Sequence, residues 1–162
     1  MICIRPVHAR YLIFWGLLLT LGVERMSSSQ AAAQVSCSLE KEDRAASLLP
    51  DARGSWLALL AHQEAFVSCD DGALAEGYSD AVAQLFVQKW DQLGVFVDLA
   101  KKHPDFQRWA VRHIDATVSD DDLNKIIANA ATCIDDVAVA NICKSIRRAA
   151  ENALVESTQM RQ

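Results

Sequence analysis

The histidines His62, His103 and His113 and the cysteines Cys37, Cys69, Cys133 and Cys143 are the residues of this 162-residue chain whose types and spacing offer most chemistry. A nucleophilic site needs a Ser, Thr or Cys beside a histidine base that a third group orients. No Gly-x-Ser-x-Gly turn occurs, and nothing in the spacing places a hydroxyl beside a histidine. We therefore expect no catalytic residue and no cofactor. For a metal, the pairs His62 with Glu64 and His113 with Asp115 are two residues apart, which on a helix turns them about 200° from one another. Chelation would require the two helices to meet. The simpler reading makes His113 a polar-rimmed core residue behind Trp109, His103 a helix-end residue before Pro104, and His62 part of a solvated face. No metal ligand is assigned.

Two charged runs have equally plain readings. Asp120, Asp121 and Asp122 open like a calcium loop, but Leu123, Asn124 and Lys125 do not continue the alternating oxygen ligands. Carboxylates at a positive helix terminus explain them. Lys144, Arg147 and Arg148 form a basic cluster, read as a solvated face balanced by Glu151, with an acidic partner as the alternative. Of the five cysteines, Cys3 lies in the expected leader, and the other four form an even set without C-x-x-C spacing, the pattern of disulfides in a small exported chain. Four cysteines allow three pairings, of which we expect the local one, Cys37 with Cys69 and Cys133 with Cys143.

Export is expected from the other end of the chain. Arg5, His8 and Arg10 precede the apolar run Tyr11 to Val23, whose 13 residues make a helix of about 20 Å, short of a ~30 Å hydrocarbon core. Ala31 and Ala33 give a small-x-small site, so residues 1–33 read as a signal peptide cleaved after Ala33. The product, residues 34–162, is expected to be one periplasmic or secreted domain without a stable membrane span. It keeps 13 of the 16 basic and 20 of the 21 acidic residues, a formal charge of −7. That balance argues against nucleic acid as a partner. A 51% hydrophobic composition excludes a disordered or collagen-like chain.

The elements that must position these residues read as helices, because alternating β-branched runs and hairpin dipeptides are scarce and Ala is the dominant filler. The expected fold is an all-α compact bundle of five or six helices stapled by two disulfides. A first helix, capped by Ser36 or Ser38, runs to Leu49, with Leu39, Ala46 and Leu49 on its apolar side and Pro50 as its stop. A second, capped by Ser55, spans Trp56 to Ser68 and returns antiparallel, bringing Cys69 beside Cys37. Closing those 33 residues disfavours the unfolded chain by about 3.5 kcal/mol. A third runs from Asp71 to Gln92 behind Asp70 and Asp71, with Gly94 separating a short apolar turn that ends at Lys101 and Lys102. A fourth starts at Pro104 and carries Phe106, Trp109, Ala110, His113 and Ile114. Ser119 then caps a helix with Leu123, Ile126, Ile127 and Ala130, and a final helix spans Asp136 to Glu156 with Val137, Ala140, Cys143, Ile146 and Ala150 inward. Residues 157–162 read as a frayed tail.

Within the third helix stands Gly77-Tyr78-Ser79-Asp80-Ala81-Val82. A mid-helix glycine costs about 1 kcal/mol against alanine, which close approach of another helix would offset. Tyr78 is expected to be half buried with its hydroxyl at the rim. Together with His103-Pro104-Asp105 and a disulfide cysteine such as Cys69, this segment resembles the small periplasmic immunity proteins that neutralise cell-wall amidase effectors of type VI secretion. Those proteins share a Gly-Tyr helix, a His-Pro-acid turn and helix-tying cysteines. Their cysteine usually lies just before the Gly-Tyr pair, whereas Cys69 is eight residues upstream of Gly77. The resemblance implies an exported, non-enzymatic helical protein that binds a toxin or envelope enzyme. The alternatives are a small envelope enzyme or metal-dependent hydrolase using His62 and His113 with nearby carboxylates, and a ligand carrier with a pocket between Trp56, Phe86, Phe96 and Trp109.

Overall fold

The computed structural model describes residues 36–133 and 137–162. The expected leader, its cleavage point and the first residue of the expected last helix, Asp136, lie outside the described residues. Within them the chain forms seven α-helices and no strand: α1 (Leu39–Ala52), α2 (Trp56–Phe66), α3 (Gly72–Gln88), α4 (Leu93–Lys102), α5 (Pro104–Arg112), α6 (Asp120–Ala130) and α7 (Val137–Met160). No helix among the described residues is long and apolar enough to cross a membrane.

Most boundaries follow from local chemistry. Ser38, Ser55 and Ser119 each accept a backbone N–H from the residue three positions on, so the helix starts they mark agree with the capping rule. Pro104 supplies the first residue of α5, where its missing N–H costs nothing. Gly72 takes φ +51°, in the left-handed region that favours glycine, which lets the chain turn into α3 directly after Cys69.

Five expectations are corrected. Pro50 lies inside α1, which continues to Ala52. A proline near a helix end removes one donor but keeps a helical φ, and the following turn still closes through Arg53 N–H to Leu49 O. The buried side of α1 is accordingly Ala45, Leu49 and Ala52, while Leu39 and Ala46 face solvent. The expected third helix divides: α3 stops at Gln88, a 3₁₀ turn spans Trp90–Gln92, and α4 begins before Gly94, giving more helices than five or six. Val137 and Ala140 are exposed at the start of α7. At the other end α7 runs on to Met160, and Ser157 is buried with its hydroxyl donating to Asp120 Oδ1 at 2.8 Å, so this end is docked rather than frayed.

The core is aromatic. Trp56 packs its ring 4.6 Å from both Phe86 and Phe96, centroid to centroid, and Phe106 stacks on Trp109 at 5.6 Å. Ring contacts thus fill the space that a carrier pocket between Trp56, Phe86, Phe96 and Trp109 would need. Gly77 has the close approach expected of it, since a Cβ there would lie 2.7 Å from Leu49 Cδ2 of α1. Both disulfides form as paired above, Cys37–Cys69 and Cys133–Cys143. The first ties the start of α1 to the turn after α2, beside a Lys41 to Ser68 hydrogen bond of 2.9 Å. The second ties the end of α6 to the second turn of α7. With Asp120 at the start of α6 held to Ser157 and Arg161 at the end of α7, these two helices are pinned antiparallel at both ends.

Candidate functional site

The fold gathers His62 and His113, with Asp70, Tyr78 and Ser79, into one polar seam through its core. Asp70, in the turn before α3, directs its carboxylate toward α5. Its Oδ2 accepts from Trp109 Nε1 at 2.8 Å, Arg112 Nη2 at 2.7 Å and His113 Nε2 at 3.2 Å. Asp70 and Asp71 are both expected at the α3 terminus, but only Asp71 caps that helix, through Gly72 N–H. Burial by itself pushes the Asp70 carboxyl up, but the hydrogen bond and charge of His113, with Trp109 and Arg112, outweigh it and hold the group below the usual carboxylate range.

On the far side of His113, Nδ1 lies 3.1 Å from Ser79 Oγ, so Ser79, His113 and Asp70 form a serine–histidine–carboxylate chain that no spacing rule announced. Its serine differs from that of a nucleophilic triad in having further acceptors beside the imidazole. Ser79 has one hydroxyl hydrogen and three acceptors around it: Asp115 Oδ2 at 2.7 Å, Ala75 O at 3.1 Å and the imidazole. The shortest of these contacts is to the Asp115 carboxylate, so the hydroxyl is shared among several acceptors rather than aimed at the imidazole alone. Access is closed as well, because Ser79 is 1% and His113 4% exposed. Asp115 is fixed in turn by the N–H and hydroxyl of Thr117.

A second branch corrects the reading of His62. It is not on a solvated face but 6% exposed. Its Nε2 lies 2.9 Å from the Ala45 carbonyl of α1 and its Nδ1 2.9 Å from the Tyr78 hydroxyl. A carbonyl only accepts, so Nε2 carries the hydrogen and Tyr78 donates to Nδ1. Tyr78 is therefore fully buried, not rim-placed; burial and then the Asp70 charge push its phenol well above its ordinary value. Burial pushes the His62 imidazole down, against the Ala45 hydrogen bond that raises it. The Tyr78 ring joins the two branches, 5.5 Å from His62 and 5.7 Å from His113.

His103 alone of the three histidines stays at the surface. It ends α4 as expected, and its Nδ1 lies 3.2 Å from Glu64 Oε1, beside a cleft of about 580 Å³ between α2 and the α4–α5 junction. A second cleft, about 600 Å³ and mostly apolar, runs between α4 and the Cys133 bridge, with Trp90, Leu93 and Val97 in its wall. Among the described residues no three His, Cys, Asp or Glu side chains converge as a metal-binding group. His62 and His113, the pair on which a metal site was considered, have both ring nitrogens engaged within the protein. Asp120 and Asp122 are occupied by Arg161 and Lys125, and Arg147 by Glu151, as helix-end and surface electrostatics require.

The missed residues had a signal. His62 is three residues after Leu59 and four before Phe66, and Ser79 is three before Val82 and seven before Phe86, so both sit on apolar faces at helical spacing. Polar residues on such faces must find partners inside. No protein-family model, no curated protein and no solved structure matches this chain.

Proposed function

We propose that this protein is an exported, non-enzymatic helical binding protein that acts by holding a partner protein. The carrying observation is the state of the Ser79–His113–Asp70 chain. Of the groups that could do nucleophilic chemistry, these three are assembled, yet they are sealed in the core and the serine hydroxyl has the Asp115 carboxylate and the Ala75 carbonyl as further acceptors beside the imidazole. A seam of that kind ties α3, α5 and the turn after Cys69 together. It makes a rigid scaffold, and the two disulfides add ties elsewhere, one holding the start of α1 to the turn after α2 and the other holding the end of α6 to α7. Disulfides also suit an oxidising compartment, in keeping with export. The resemblance in Gly77-Tyr78 and His103-Pro104-Asp105 makes a cell-wall-degrading effector the concrete partner.

Oxidised and reduced protein would be added to a cell-wall amidase assay, with pull-down from envelope extract alongside. The reading expects stoichiometric inhibition and a stable complex with the oxidised protein. Release of amidase product by the protein alone, abolished by Ser79→Ala, would overturn it.

A further inference from the structure

We infer that the Ala45–His62–Tyr78 hydrogen-bond chain is an acid-sensitive latch: it holds α1 on the bundle and frees it, still tethered through Cys37–Cys69, when His62 takes up a second proton. The two buried histidines differ in what faces them. His113 meets the Asp70 carboxylate, so a positive ring has its counter-charge in contact. His62 meets only neutral groups, a carbonyl from α1 and a phenol from α3.

A proton on Nδ1 would therefore arrive in the core unpaired, pointing at a hydroxyl that already presents its own hydrogen. Tyr78 would have to turn that hydrogen away while packed 5.0 Å from the ring of Trp109. The charged groups around the pair are few. Arg44 and Asp51 of α1 line a shallow groove shared with His62, and on the other side of Tyr78 stand His113 of α5 and Asp70. Neither nitrogen of His62 contacts a carboxylate. Burial already disfavours the charged ring, in agreement with this geometry.

The element that gives way is α1. It buries two alanines and one leucine, fewer and smaller apolar groups than α2 or α3. Its other ties are Lys41 to Ser68, the exposed Arg53–Asp80 pair and the disulfide at its start. Lifting it uncovers His62, so opening and protonation are linked. The same movement exposes the Leu49–Gly77 contact and the Tyr78 face, an apolar surface that is present only in acid.

Hydrogen exchange of the disulfide-intact protein, followed from about pH 7.5 to about pH 5 and corrected for intrinsic rates, reads the latch by helix. Protection in α1 should fall with pH below 6.5, the ordinary histidine value, by up to about tenfold per pH unit, the slope of one linked proton. Amides of α6 and α7 should not change. In His62→Gln, whose amide can still donate to Ala45, the α1 dependence should vanish. Constant α1 protection, an equal dependence in His62→Gln, or parallel loss in α6 and α7 overturns the inference. Should His62→Gln fail to fold, nitrogen NMR of the wild-type ring decides. The Nε2–H tautomer at neutral pH, with ring protonation tracking α1 exchange, supports the latch; an Nδ1–H tautomer or a midpoint at 6.5 or above sinks it.

Discussion

Replacing Asp70 by alanine tests whether the polar seam is structural. The substitution removes the acceptor of three donors at once, but the three do not cost the same. Arg112 is mostly in water, with its side chain 67% exposed, and its guanidinium re-solvates. Trp109 and His113 are buried, so each is left with an N–H that has no partner. A buried unsatisfied donor costs about 1–3 kcal/mol, so Asp70→Ala should destabilise by roughly 4 kcal/mol. Against a typical total of about 5–15 kcal/mol that is a large fraction, corresponding to a fall in Tm on the order of 10 °C. Arg112→Ala removes only the solvent-exposed arm and should cost less than about 1 kcal/mol. Urea denaturation of the oxidised proteins, read by circular dichroism, gives both values. If Asp70→Ala proves as mild as Arg112→Ala, the seam does not hold the fold together and the argument from it fails.

The acid limb of the stability curve should carry the signature of Asp70. Its carboxyl is held below 3.8 in the folded protein, so its contribution is fully present above that value and is lost as pH falls through the lower folded value. Asp70→Asn should flatten that limb in a pH series of melting curves; an unchanged limb would assign it to other carboxylates. Gly77→Leu should cost about 1–3 kcal/mol by driving a side chain into Leu49, and Leu49→Ala should recover part of that loss in the double variant. Simple additivity of the two would contradict the close approach. The bridges can be ranked too: each buries one sulfur to a similar degree, but Cys37–Cys69 spans 32 positions and Cys133–Cys143 spans 10. Removing the first pair as alanines should cost about 1 kcal/mol more than removing the second. Equal losses in denaturant unfolding would point to strain or packing rather than loop entropy.

The parts of this fold that were legible in the sequence are those set by neighbours along the chain. Ser38, Ser55 and Ser119 mark their helix starts because a cap is made within three residues. Cys69 returns to Cys37 because a short turn leaves two helices little choice but to run antiparallel. What was not legible depends on partners far along the chain. Pro50 reads as a stop, yet α1 continues to Ala52, where Leu49 and Ala52 are buried against the rest of the bundle and Leu49 lies close to Gly77, 28 positions on. Ser157 reads as tail, but the register of α7 on α6 brings it to Asp120. The seam is the strongest case. His62, Ser79 and Tyr78 lie on apolar faces that periodicity reveals, while the partners of this cluster, Ala45, His113 and Asp115, come from other helices and turns. Polar residue type suggested the surface, and only the assembled helices show that each has its hydrogen bonds inside.

The most direct test of a protein that works by holding a partner is a stoichiometric titration. Purified, oxidised wild type and Ser79→Ala would each be added in steps to a fixed amount of cell-wall amidase effector, with residual activity read at every step. The account predicts that both lower the activity in proportion to the amount added, reaching an end point at a fixed molar ratio. A folded Ser79→Ala protein that has lost the effect, or a wild type that acts far below stoichiometric amounts, would contradict it.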